Sequence, residues 1–125
     1  MNIKLTSNGN PVEVAARRAR NDRFRRTLTG GSLMLSEGVV TLGAANQARI
    51  IAAVRSFTSF DADDPFDDHS IGDLEVEIEE PGIHQWPELI FFRIDDLGRP
   101  ATGAGSNPAP SGTALVLTLM LASEW

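Results

Sequence analysis

Residues 74–79 read Leu-Glu-Val-Glu-Ile-Glu, a strict alternation of apolar and acidic side chains. Period two is the period of a β-strand, whose successive side chains point to opposite faces. A strand here sends Leu74, Val76 and Ile78 into a core and Glu75, Glu77 and Glu79 outward. A one-residue slip would bury the three carboxylates, so the register is fixed.

The rest of the pattern supplies partners for that strand. Pro11 to Thr29 predicts a helix, with Pro11 in its first turn, Glu13 at its positive end and Gly30-Gly31 as its stop. At 100° per residue Val14, Asn21, Phe24 and Leu28 share one narrow face. Asn21 on that face must find hydrogen-bond partners if buried, which marks it as a structural clamp. Ser32 to Ser36 predicts a short strand, with Glu37-Gly38 turning out of it. Ala44 to Phe57 predicts a second helix with Ile50, Ile51, Val54 and Phe57 inward. Pro81-Gly82 opens a turn running to Pro87, Glu88 to Asp95 returns as a strand, and Ala114 to Ala122 forms a last, buried strand after a loop rich in glycine and proline. The expected fold is α+β, with two helices packed on one face of a mostly antiparallel four-stranded sheet in the order α-β-α-β-β-β.

The chain has 125 residues, enough for one core, so residues 11–125 are expected to form a single domain behind a flexible arm at 1–10. The absence of cysteine excludes disulfides, thiol nucleophiles and thiolate metal sites. No secretory-type apolar stretch opens the sequence and no window reaches a membrane span. A soluble cytoplasmic protein is the expectation.

Charge divides the chain more sharply than its net value of −6 suggests. Residues 1–60 hold nine Lys/Arg against three Asp/Glu, and residues 61–125 hold two against fourteen; residues 61–80 alone carry ten acidic groups and no Lys or Arg. The halves can neutralise each other within the fold or across a homodimer, or the acidic one can present a field to a basic partner. The arginines at 17, 18, 20, 23, 25 and 26 point nearly all round their helix rather than along one groove-facing side, which disfavours nucleic acid.

Several short motifs then occur in order: Asn21-Asp22-x-x-Arg25-x-x-Leu28-x-Gly30-Gly31, Gly38-Val39-x-x-Leu42, Val54-x-x-Phe57-x-x-Phe60, Asp64-Pro65-Phe66-Asp67-Asp68-His69-x-x-Gly72, Ile94-Asp95, and the ending Val116 to Trp125. Over residues 18–125 they resemble the small bacterial proteins of domain-of-unknown-function family 3768. The resemblance implies a plasmid or mobile-element context and no assigned activity. The chain departs from the family pattern at Phe66, Asp67, Asp68 and Ser70 in the loop, at Asp96-Leu97-Gly98 after the third strand, and at Leu115, where an arginine is common.

Three constellations could carry function. Asp61, Asp63, Asp64, Asp67, Asp68 and His69 lie within nine residues, a density of hard oxygen ligands suited to Ca²⁺ or Mg²⁺. An EF-hand nevertheless fails in detail, because Phe66 holds the glycine position and Gly72 the place of the bidentate glutamate. A turn capped by Asp64, with His69 hydrogen-bonded nearby, is the expected structure. A metal-dependent hydrolase would need Asp64, His69 and Asp95 to converge. No serine sits in a nucleophile elbow, His84 lies in a turn, and the glycines at 98, 103, 105 and 112 lack the context of a phosphate-binding loop.

The favoured expectation is a non-catalytic interaction protein without cofactor or metal. Asp63, Asp64, Asp67, Asp68, Glu75, Glu77 and Glu79 form its contact surface for a basic protein, such as a host nuclease or defence complex. Carboxylates two residues apart on a strand are spaced by about 6.7 Å and imitate a row of phosphates. The metal-dependent hydrolase is the alternative, and a nucleic-acid binder using the arginines of the first helix is the third reading.

Overall fold

The structure, a computed structural model, describes residues 11–60, 68–80, 82, 84–97 and 115–125. In chain order these form α1 (Pro11–Thr27), β1 (Gly31–Leu35), α2 (Glu37–Thr41), α3 (Ala44–Arg55), β2 (Ile71–Glu80), β3 (His84–Asp96) and β4 (Leu115–Leu121), with a closing 3₁₀ turn at Ala122–Glu124. The expected arm at 1–10 and the glycine-rich loop lie outside the described residues.

The α+β class and the four strands are as the sequence indicates, but the sheet is mixed. Its order is β1-β4-β3-β2; β2 and β4 each pair antiparallel with β3, whereas β1 pairs parallel with β4, Gly31 opposite Leu115 and Leu35 opposite Leu119. A parallel pair needs a long crossover, and here two helices and the β2–β3 hairpin intervene. Hydrophobic periodicity marks where a strand lies and carries no signal for its partner, so the expected mostly antiparallel sheet is corrected at its β1 edge. Gly31 makes that edge feasible: a Cβ there would collide with the Leu115 carbonyl and approach the Phe24 ring to 2.7 Å.

Among the described residues three α-helices, not two, cover the sheet. The additional one, α2, starts at Ser36, whose hydroxyl accepts from the Val39 amide 3.2 Å away. The helix α1 ends before the two glycines, with Leu28 left-handed at φ 59° and its amide donating to the Phe24 carbonyl. The strands β2 and β3 are longer than expected: β2 starts at Ile71, opposite Arg93, and β3 includes Pro87, opposite Glu77. The Ile94 amide donates to Ser70 across the hairpin, so even-numbered residues face one another through their backbones and Pro87 faces away. On that side β4 pairs only as far back as Ile90, so the N–H that proline lacks has no partner to lose.

Buried side chains from all three helices, Phe24, Val39, Ile50 and Val54 among them, meet Val76, Ile78, Ile90, Phe92, Ile94, Leu115, Leu117 and Leu119 in one core. The helices therefore share one face of the sheet. The opposite face carries the odd-numbered residues of β2 and β3 and the even-numbered ones of β1 and β4.

Candidate functional site

Two regions gather chemistry-bearing side chains. The first joins α1, the end of α3 and the residues entering β2. Arg25 is wholly buried; its Nε donates to the Val54 carbonyl at 3.1 Å, Nη2 to the Phe57 carbonyl at 2.8 Å and Nη1 to Asp22 Oδ1 at 3.0 Å. The guanidinium thus satisfies carbonyls at the C-terminus of α3, where a cation is favoured by the helix dipole. It lies 4.9 Å from the centroid of Phe60 and 5.8 Å from that of Phe92. Burial lowers its pKa, opposed by the hydrogen bond and charge of Asp22, and arginine retains its proton all the same.

Asp22 also binds His69, whose Nδ1 donates to Oδ1 at 2.9 Å while the imidazole stacks on Phe60 at 3.9 Å between centroids. His69 adopts φ 61°, a left-handed backbone uncommon for a side-chain-bearing residue. Asn21 donates to the Asp68 carbonyl at 2.9 Å, in keeping with its reading as a clamp. Asp68 itself is buried: its carboxylate accepts from the Ser70 amide and lies 3.6 Å from Arg17 Nε. Gly72 completes the junction, since a Cβ there would sit 2.5 Å from the Phe92 ring and 3.1 Å from that of Phe57.

These contacts bring together motifs separated by more than forty residues of sequence. The profile of the family described as "Protein of unknown function (DUF3768)" matches residues 35–124. The chain belongs to the DUF3768 family. No curated protein and no solved structure matches it significantly. The match begins at Leu35, whereas Asn21, Asp22 and Arg25 precede it; in this DUF3768 protein α1 nevertheless locks onto the matched part through Asp68, His69 and the α3 carboxyl end.

The second region is the sheet face away from the helices. Among the described residues, no helix lies over it. Met34 and Leu89 are exposed there, Phe91 contacts the exposed Trp125 at 5.1 Å between centroids, and Arg93 sits over that indole while pairing with Asp95 at 2.9 Å. The strand β2 forms the acidic edge of this face. Asp73, Glu75 and Glu77 are exposed and make no ion pair among the described residues. Glu79 is different: Arg49 binds its carboxylate at 2.7 Å and holds its pKa below the usual carboxylate value, with Gln85 adding a further hydrogen bond.

The contact surface expected from sequence is thereby divided. Asp63, Asp64 and Asp67 lie outside the described residues. Asp68 belongs to the buried junction, Glu79 to an internal ion pair, and Glu75 and Glu77 to the open row, which Asp73 extends. The hydrolase constellation is also divided, because His69 sits against α1 on the helix side whereas Asp95 pairs with Arg93 on the opposite face; Asp64 lies outside the described residues. No group of three His, Cys, Asp or Glu side chains able to hold a metal occurs among the described residues. Of the helix-one arginines, Arg25 is buried, Arg17 faces Asp68, Arg20 binds Asp96 at 2.7 Å, and Arg23 and Arg26 are exposed. No described helix is long and apolar enough to cross a membrane.

Sequence reading missed Arg25 as a core residue, Asn46 and Glu124. For Arg25 a signal exists: it stands four residues after Asn21 and next to Phe24, on the inward side of the helix. Asn46 gives none, because its role depends on β2 lying alongside α3. Glu124 accepts from the Ser36 hydroxyl, the Gly38 amide at 2.8 Å and the Leu121 amide at 2.9 Å. The Ser36 bond leads in holding its pKa down.

Proposed function

We propose that this DUF3768 protein is a non-catalytic binding module whose open sheet face, edged by the β2 carboxylates, docks on a basic surface of another protein. The observation that carries the reading is the row Asp73, Glu75 and Glu77, exposed and without ion pairs to described residues, beside a strip that no described helix covers and that includes exposed Met34 and Leu89 and the pair Phe91 and Trp125. Apolar area supplies affinity, and an unneutralised row of one sign supplies orientation and rate. The junction around Arg25 offers a contrast, since its charged groups are already engaged with one another and with backbone carbonyls. A cationic groove that normally holds phosphates is a fitting partner class, in which case the protein acts as an inhibitor of a nucleic-acid-handling defence enzyme encoded by its host.

Affinity capture from the native host tests this, using the wild-type protein beside a Glu75→Lys/Glu77→Lys variant. Basic proteins retained by the wild type, eluted by salt and absent from the variant support the reading. A captured set that ignores both the charge reversal and the salt overturns it.

A further inference from the structure

The edge of β2 already carries one imitation of an added strand. The Asn46 side chain donates through Nδ2 to the Glu79 carbonyl at 2.9 Å and accepts through Oδ1 from the Glu79 amide at 3.0 Å. That reciprocal pair is what a neighbouring β-strand would make with the same residue. Three residues along α3, Arg49 sets its guanidinium on the Glu79 carboxylate. At one position the protein thus shows both a backbone slot filled by an amide and the outward carboxylate filled by a cation.

The same geometry repeats along the strand with no such partner among the described residues. β2 is the last strand of the sheet, and Ser70 accepts from β3 whereas Glu79 faces away from it. Alternation then directs the N–H and C=O of Asp73, Glu75 and Glu77 outward, along the edge where no described strand pairs. Their side chains are exposed on the open face, and no described residue bonds these edge groups. A second copy of this strand would set carboxylate against carboxylate, which is unfavourable.

We infer that the edge of β2 from Asp73 to Glu77 accepts an extended segment of a partner protein with Lys or Arg at alternate positions, added as a fifth strand. Residues opposite Asp73, Glu75 and Glu77 place their side chains on the open face, with Cβ atoms about 4.5–5.5 Å from those of the acidic row. The backbone provides affinity and the alternating cations provide register, so a contiguous basic run fits less well than an alternating one. This rests on the protein-binding reading above and specifies its mode.

The test is fluorescence anisotropy on the full chain with a short labelled peptide of alternating lysine and threonine, at low ionic strength and at about 150 mM salt. Binding that weakens with salt, weakens about tenfold or more in a Glu75→Gln/Glu77→Gln variant, and weakens about tenfold or more when the peptide backbone is N-methylated on its pairing edge is expected. The methylated peptide keeps every charge and leaves the protein unaltered, so misfolding cannot imitate the result. Amide exchange at Glu75 and Glu77 should slow when the peptide binds, while Val76 and Ile78, already paired with β3, change little. No binding, equal binding of the methylated peptide, or no added protection at Glu75 and Glu77 overturns strand addition. If the host capture above succeeds while the peptide fails, protein binding stands and only this mode falls.

Discussion

Two sets of acidic residues have opposite fates in this protein. Asp22 and Asp68, at the junction between α1 and the start of β2, are drawn inward and satisfied by Arg25, His69, Arg17 and the Ser70 amide. Asp73, Glu75 and Glu77, further along β2, stay in solvent without ion pairs to described residues. The first set lowers its desolvation cost by hydrogen bonding within the fold, so its carboxylates specify structure. The second remains hydrated and leaves its field available to a partner. Composition alone treats the run 61–80 as one acidic block; the separate fate of Asp68 is a consequence of where the chain meets α1.

The sharpest way to break the contrast is to remove the central cation of the buried set. Arg25→Met should destabilise the protein by about 3–5 kcal/mol, because Asp22 and two helix-terminal carbonyls lose their buried partner together. The urea midpoint measures this. A loss comparable to an ordinary surface substitution would show that the junction is not a structural anchor. Next in size is Gly72→Ala, expected to cost about 1–3 kcal/mol through the clash with the rings of Phe92 and Phe57. Unchanged thermal midpoints would mean that the two aromatics can withdraw without penalty.

On the edge itself, Asn46→Ala removes both halves of the amide pair with Glu79 as well as a bond to the Leu42 carbonyl. A loss of about 1–2 kcal/mol is expected, with the Glu79 amide exchanging as fast as those of Glu75 and Glu77. If the Glu79 amide stays protected, its partner is not Asn46.

What the sequence disclosed follows from which signals are local. The alternation of β2, the inward stripe of α3 and the inward Asn21 are set by neighbours along the chain, and all three are present. The parallel pairing of β1 with β4 and the Asn46 clamp depend on residues far apart in sequence, which no local period encodes. Arg25 was misleading for a different reason. Guanidinium groups usually remain in solvent, and only the coincidence of two carbonyls and a carboxylate makes burial tolerable here. For the candidate surface, the outward direction of Glu75 and Glu77 was legible, whereas the capture of Glu79 by Arg49 required α3 to lie beside the strand.

A smaller effect separates the carboxylates by pH. Glu79 and Glu124 both have pKa values lowered in the folded protein, by Arg49 and by Ser36 respectively as the leading causes. A lowered folded value contributes stability that is present above the unfolded pKa, near 4.3, and is lost as pH falls through the folded value. Glu124→Gln should therefore flatten the acid limb of the stability curve below about pH 4.3 and leave its slope near neutrality unchanged. An equally steep acid limb in the variant would place the proton uptake elsewhere.

The smallest expected change in stability belongs to the open row, and it is the most informative about function. Replacing Glu75 and Glu77 together with glutamine removes two exposed charges that take part in no ion pair among the described residues, and leaves the outward edge N–H and C=O groups in place. The urea midpoint should stay where it is, since substitutions that touch neither core, cap nor buried pair rarely alter stability. Affinity for the basic partner should nevertheless fall, and its dependence on salt should become shallower, because fewer charges act across the interface. A variant that loses stability instead would reveal that these carboxylates belong with Asp22 and Asp68 as parts of the fold. Unaltered affinity with unaltered salt dependence would overturn recognition through the acidic row.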